Sequence, residues 1–307
     1  MLNSGEEKNL TGKRIGIFGK GGSGKSTVAV LLAKALRDLG YHVCLLDADS
    51  TNVGLAQALG FEHTPETLLE YFGGMVFSGG AVTCPVDDPT PLPGADIYLD
   101  TLPPQFFVQE DGITLLTAGK IGELGPGAGC DGPVAKIARD FHLNMGGEPL
   151  VTLVDFKAGF EDTARGAITS LDWVIVIVDP TLAAIEMASD MCDMVARLKA
   201  MELPATMHLE SPELVALANK IFIEARVKGV MSVLNKVQNI EIENYMRKEL
   251  SARSIEPIGV IYEDPSMSIT WLKRKPLGGR EAEQEALKIA KVLETSEVLV
   301  NEVEALN

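Results

Sequence analysis

A chain of 307 residues with 46% hydrophobic content can bury a large core, and its length suits one sizeable α/β domain. Its 43 acidic side chains against 27 basic ones give a formal charge of −16, a field that repels nucleic-acid backbones and anionic membrane surfaces, so neither is an expected partner. No segment reaches the roughly 18 apolar residues of a membrane span, residues 1–13 lack the apolar run of a signal peptide, and the widely spaced Cys44, Cys84, Cys130 and Cys192 do not form a secreted disulfide framework, so a cytoplasmic protein with reduced thiols is expected.

In chain order, residues 1–13 read as a flexible polar tail ahead of a single domain over 14–307. Residues 14–18 form a short buried strand, and residues 26–39 form a helix closed by Gly40. A second apolar strand over 41–46 ends at Asp47-Ala48-Asp49. Apolar runs recur at 113–116, 150–154, 173–178 and 230–234, and their continuous apolarity predicts parallel strands covered on both faces. Helical periodicity occupies 130–143, 183–201, 212–226, 240–250 and 280–303. The alternation predicts a doubly wound, mostly parallel α/β sheet with helices on both faces. Residues 73–112, rich in glycine and proline, break that pattern and read as an elaborated surface loop or lid.

Between the first strand and the first helix lies Gly19-Lys20-Gly21-Gly22-Ser23-Gly24-Lys25-Ser26-Thr27. The spacing is that of a phosphate-binding loop, in which small residues let backbone N–H groups wrap the phosphates at a helix N-terminus. The nucleotide is expected to be ATP or ADP, with Lys25 at the β and γ phosphates of ATP and Ser26 at Mg²⁺ through its hydroxyl. Gly21 through Thr27 form the cofactor-binding stretch. The aspartates after the second strand sit where ligands of open α/β sheets bind.

With Lys20 added at its start, this loop resembles the deviant-Walker ATPase family that contains MinD, ParA, the nitrogenase iron protein and the carbon monoxide dehydrogenase accessory ATPase CooC. The resemblance runs from residue 14 to about 277 and implies a P-loop NTPase of the SIMIBI type. It implies that Lys20 reaches across a two-fold interface to a second copy's nucleotide, so that ATP closes a homodimer. It further implies that Asp49 positions the attacking water. Asp47 either serves Mg²⁺ or caps the following turn. Val154-Asp155-Phe156-Lys157-Ala158-Gly159 resembles the family's second switch, with Asp155 near Mg²⁺ and Gly159 near the γ phosphate. Asn235 resembles the residue on the adenine edge, with Asp264 on the other side of the base.

The segment Gly125-Pro126-Gly127-Ala128-Gly129-Cys130-Asp131-Gly132-Pro133 resembles the nitrogenase iron protein around its first cluster cysteine, but the position of the second cluster cysteine holds Asp162. The flanking stretches 116–123, 158–166 and 235–239 look like CooC, which carries a Cys-x-Cys pair where this chain has Cys130-Asp131-Gly132. Cys130 is then either half of an intersubunit site for Ni²⁺, Zn²⁺, Cu⁺ or a cluster, completed by Cys84, Asp131, a histidine or a client, or it is a relic. The acidic C-terminus, without Lys or Arg over 295–307, does not resemble a basic membrane helix. The local basic cluster of Lys273, Arg274, Lys275 and Arg280 reads as a solvated or partner-facing patch. Three functions follow from the resemblance: an ATPase assisting metallocentre maturation in a client metalloenzyme, an ATP-dependent iron–sulfur reductase, or a positioning or regulatory ATPase.

Overall fold

The computed structural model describes residues 8–120 and 130–305, with side chains described through residue 300. The glycine-rich approach to Cys130, residues 125–129, lies outside the described residues, as do residues 1–7 of the expected tail. Strand β1 (Arg14–Gly19) is followed by helix α1 (Lys25–Asp38), β2 (His42–Ala48), α2 (Leu55–Leu59), α3 (Leu68–Tyr71), β3 (Asp96–Tyr98), β4 (Val108–Glu110) and β5 (Ile113–Thr117). Then come α4 (Gly132–Asp140), β6 (His142–Asn144), β7 (Leu150–Phe156), α5 (Glu161–Ala164), β8 (Trp173–Val178) and α6 (Leu182–Lys199). The chain continues through α7 (Pro212–Ile223), β9 (Gly229–Val237), α8 (Ile240–Ser251), β10 (Pro257–Tyr262), α9 (Pro265–Leu272) and α10 (Arg280–Ala305).

Eight strands form one sheet in the order β10-β9-β8-β1-β7-β2-β5-β4, parallel throughout except that β4 runs antiparallel on the edge. Alternate residues of each inner strand enter opposite cores, as a pleated strand requires. Ile15, Ile17, Val43, Leu45, Leu153 and Ile175 face the layer of α1 and α10, while Phe18, Leu46, Val154 and Val176 face the layer of α4 and α6. Strands buried on both faces explain why each reads as an unbroken apolar run. The doubly wound expectation therefore holds. Helix α1 ends as its sequence predicts, with Gly40 at φ +87° just past the last turn.

Three local readings change. The helix expected over 130–143 is shorter, because the buried Arg14 guanidinium donates to the carbonyls of Ala138 and Phe141, both at 2.6 Å, and satisfies the end of α4. Residues 142–144 then form β6, which pairs in parallel with β3. Residues 8–13, expected within the tail, are packed: Leu10 is fully buried, and Lys13 lies 3.0 Å from Glu297 of α10. The 73–112 segment contributes Met75, Val82, Leu92, Ile97, Leu102 and Phe106 to the core on the α4 side. It is an integral layer of the domain over much of its length.

Candidate functional site

The phosphate loop leaves β1 at the centre of the sheet, between β7 and β8. Its path depends on ties from the end of β9. Asn235 Nδ2 donates to the Ser23 carbonyl at 2.7 Å, and Lys236 Nζ donates to the Gly22 carbonyl at 2.7 Å. The Ser23 N–H turns back to the Lys20 carbonyl at 3.2 Å; with the Ser23 and Gly22 carbonyls held on one side, other N–H groups of the loop can line the opposite side, the arrangement that binds phosphate. Gly24 must be glycine: its φ is +90°, and a Cβ there would lie 2.3 Å from Asn235 Nδ2. Lys25, the first residue of α1, is buried, and so is Ser23. Thr27 accepts a hydrogen bond from Trp271 of α9 at 3.0 Å, which docks α9 against the start of α1.

Around the head of α1 the structure brings together Ser26, Asp47, Asp49 and Asp155. Ser26 Oγ donates to Asp155 Oδ2 at 2.6 Å and accepts from Asn52 Nδ2 at 2.9 Å. Asp155 is fully buried, and its Oδ1 has no hydrogen-bond partner. A buried carboxylate oxygen left unpaired beside a serine hydroxyl at a phosphate loop suits a hard divalent cation, so Ser26 and Asp155 fit Mg²⁺. Asp47 is engaged differently, because Lys120 Nζ lies 2.7 Å from its Oδ2 and also donates to the Asp49 carbonyl at 2.6 Å. In the sequence Lys120 is one residue of the 116–123 stretch that looks like CooC, and nothing local marks its contact with Asp47. Asp49 is partly exposed, with its Oδ1 held by the N–H and hydroxyl of Thr51 at 2.9 and 2.7 Å.

Burial, then the charge of Asp47, pushes the Asp155 carboxyl up to about 7. Burial pushes Asp47 up to about 6 against the pull of Lys120. Both lie above the ordinary value of about 3.9. Without a cation the folded chain retains protons that the unfolded chain gives up, so this contribution to stability is complete below about pH 4 and is lost as pH rises through 6 and 7. A divalent cation favours the ionised carboxylates. The thermal stabilisation by Mg²⁺ with ADP is therefore expected to be larger at pH 8 than at pH 6, as read by differential scanning fluorimetry. Equal stabilisation at both pH values would contradict the assignment.

The remaining predicted residues surround this centre. Gly159 follows β7 with φ +94°, and its N–H donates to the Gly19 carbonyl at 3.3 Å, which ties the segment after β7 to the phosphate loop. Asp264 caps α9 by accepting from the Ser266 N–H at 2.8 Å. Lys20 does not fold back into its own loop, since its ammonium lies 3.4 Å from Thr181 Oγ1 at the start of α6. Cys130 is exposed. Its neighbour Asp131 is buried and is the meeting point of two loops. Ser50, which follows Asp49, donates its hydroxyl to Asp131 Oδ1, and Lys157, two residues past Asp155, forms an ion pair with Asp131 Oδ2. That hydrogen bond raises the Lys157 pKa. Asp162 is buried with its carboxyl pushed up to about 6 by burial, opposed by Arg165 at 3.4 Å. Among the described residues, no group of three or more His, Cys, Asp or Glu side chains is arranged to hold a metal ion.

Comparison with known proteins places this geometry. The family model described as the CobQ/CobB/MinD/ParA nucleotide binding domain matches residues 17–277. An uncharacterised ATP-binding protein of Methanocaldococcus jannaschii is 34% identical over 177 residues, covering 57% of this chain and 70% of that protein. The carbon monoxide dehydrogenase accessory protein CooC of Rhodospirillum rubrum is 30% identical over 178 residues, covering 57% of this chain and 66% of that protein. The solved structure of the septum site-determining protein MinD of Pyrococcus horikoshii, complexed with Mg-ADP, superposes with a TM-score of 0.57 at 18% identity, over 92% of this chain and 95% of that one, a likeness of fold. No helix among the described residues is long and apolar enough to cross a membrane.

Proposed function

The chain belongs to the CobQ/CobB/MinD/ParA family of nucleotide-binding P-loop ATPases, and from that premise we propose that it is a cytoplasmic ATP-driven homodimeric switch that assists maturation of a client metalloenzyme. The observation that carries this reading is the position of Asp131. It adjoins Cys130 and is bonded at once to the loop after Asp49 and to the loop after Asp155. A γ phosphate that reorders either loop therefore acts on the cysteine through two short links.

In this reading Lys25 and the loop N–H groups hold the phosphates, Asp49 orients the attacking water, and Lys20 of a second copy offsets charge on the γ phosphate. Mg²⁺, held by Ser26 and Asp155, would neutralise charge developing on the phosphate oxygens. Asn235 and Asp264 flank the base. Hydrolysis relaxes the switch loops, and the Asp131 links pass that relaxation to Cys130, where cargo or client is released. The likeness to CooC supports a metal as cargo. An electron-transferring cluster is disfavoured because Asp162, a buried carboxylate paired with Arg165, stands where a cluster reductase has its second cysteine.

The test is the alkylation rate of Cys130, read by peptide mass spectrometry with a non-hydrolysable ATP analogue and with ADP. Wild type is expected to differ between the two states by about fivefold or more, the scale of a coupling energy near 1 kcal/mol. Lys157→Ala is expected to reduce the difference, and Lys157→Ala combined with Ser50→Ala to erase it, while nucleotide affinity is retained. Identical rates in the two states of the wild type would contradict the proposal.

A further inference from the structure

Lys120 stands where the end of β5 meets the end of β2. Asp47 and Thr117 are register partners on those two strands, and the Ala118 N–H donates to the Asp47 carbonyl at 2.8 Å. The chain then passes through Gly119, which is packed against both α3 and α4: a Cβ there would lie 2.9 Å from Val134 Cγ2 and 3.3 Å from Leu69 Cβ. That close approach delivers the next side chain, Lys120, to the loop that leaves β2. Its ammonium makes two bonds there, to the Asp47 carboxylate at 2.7 Å and to the Asp49 carbonyl at 2.6 Å. The other Asp47 oxygen accepts the Asp49 N–H at 3.2 Å. One cation thus closes residues 47–49 into a corner held at both ends.

Asp49 sits at the outer end of that corner. The next residue, Ser50, is anchored to Asp131, and the Thr51 N–H and hydroxyl both bond to one Asp49 carboxylate oxygen, Oδ1. The backbone of Asp49 is therefore gripped on both sides, by Lys120 before it and by Ser50 after it. Charge explains why the grip is a lysine. Asp47 is the register partner of Asp155 on β7, and both are buried. Two buried carboxylates side by side repel, and a cation on Asp47 offsets that repulsion. A neutral donor could make the same hydrogen bonds but would leave the Asp47 charge unpaired, pushing the corner away from Asp155. The pair is also well enclosed, with the Asp47 side chain 5% exposed, so it differs from the weak, screened pairs of an open surface.

We infer that Lys120 is a positioning residue for ATP hydrolysis. It fixes the corner of residues 47–49 and, through that corner, the direction in which the Asp49 carboxylate points. The inference rests on the assignment of Asp49 to the attacking water and goes beyond it by naming the group that holds Asp49 in place. Lys120 acts through Asp49, so its removal misplaces the carboxylate without altering the phosphate cradle, which is tied instead to Asn235 and Lys236.

The test is steady-state ATP hydrolysis by the full-length chain with Mg²⁺, beside ADP affinity measured by calorimetry. Lys120→Met keeps the length of the side chain and removes its charge. It is expected to lower kcat by about 100-fold, the cost of a small misplacement of a catalytic group, with KM and ADP affinity within about threefold of wild type. Lys120→Arg, which carries charged donors for both acceptors, is expected to recover about tenfold of that loss. In the Asp49→Asn background, Lys120→Met is expected to cost no more than about threefold, since a residue that acts through Asp49 has nothing left to position. A cost that persists undiminished in that background, or KM and ADP affinity that collapse together with kcat, would overturn the inference. Wild-type turnover in Lys120→Met beside a slow Asp49→Asn would overturn this inference alone. Wild-type turnover in Asp49→Asn would overturn the assignment of Asp49 and this inference with it.

Discussion

Lys20→Ala is expected to lower ATP turnover by about 1000-fold or more, the scale on which a cation supplied in trans to a γ phosphate acts, while the monomer's affinity for ADP stays within about threefold. The split follows from geometry. The cradle is formed by Lys25 at the head of α1 and by a loop whose carbonyls are tied back by Asn235 and Lys236. Lys20 takes no part in those ties, and its ammonium extends toward Thr181 at the start of α6, away from the loop it belongs to. An intramolecular role would require it to turn back. Sedimentation or light scattering with a non-hydrolysable analogue is expected to give dimers for wild type and monomers for Lys20→Ala. Unchanged turnover in the variant would refute the cross-dimer role.

Asp49→Asn is expected to slow hydrolysis by about 100-fold to 10,000-fold, the usual range for a positioned base, and to trap the ATP-bound dimer. Asn retains an oxygen for the Thr51 N–H and hydroxyl, so the turn is preserved. What is lost is the anionic oxygen that orients water. Asp47 cannot replace it, because Lys120 already engages its carboxylate. The trapped dimer is read as a long lifetime after excess ADP is added. A dimer that dissociates at the wild-type rate would remove Asp49 from the mechanism.

Much of this architecture is legible in the chain because the physics is local. The inner strands are covered on both faces and so are written as continuous apolar runs. The phosphate loop is written as small residues at fixed spacing. Legibility fails where a contact joins distant segments. Nothing local marks Arg14 as the group that ends α4, since a basic residue at a strand start is ordinary. The strands β3, β4 and β6 are three residues each and carry too little pattern to be read. Lys157 is uninterpretable as sequence and becomes meaningful only beside Asp131. Lys236 and Lys120 likewise acquire roles from what folding places opposite them. Asn235 is partly legible: the resemblance implies a place at the adenine edge, whereas in the fold its amide braces the phosphate loop, a bond that no adjacent residue signals.

The central claim is that nucleotide state and the Cys130 region act as one unit. It is tested most directly by purifying wild type and Cys130→Ser without oxygen, with and without ATP, and measuring bound metal and oligomeric state on the same samples. The account predicts ATP-dependent dimers for both proteins, with thiol-dependent metal in wild type only and its release on hydrolysis. Metal-free wild-type dimers, indistinguishable from Cys130→Ser in every condition, would contradict it.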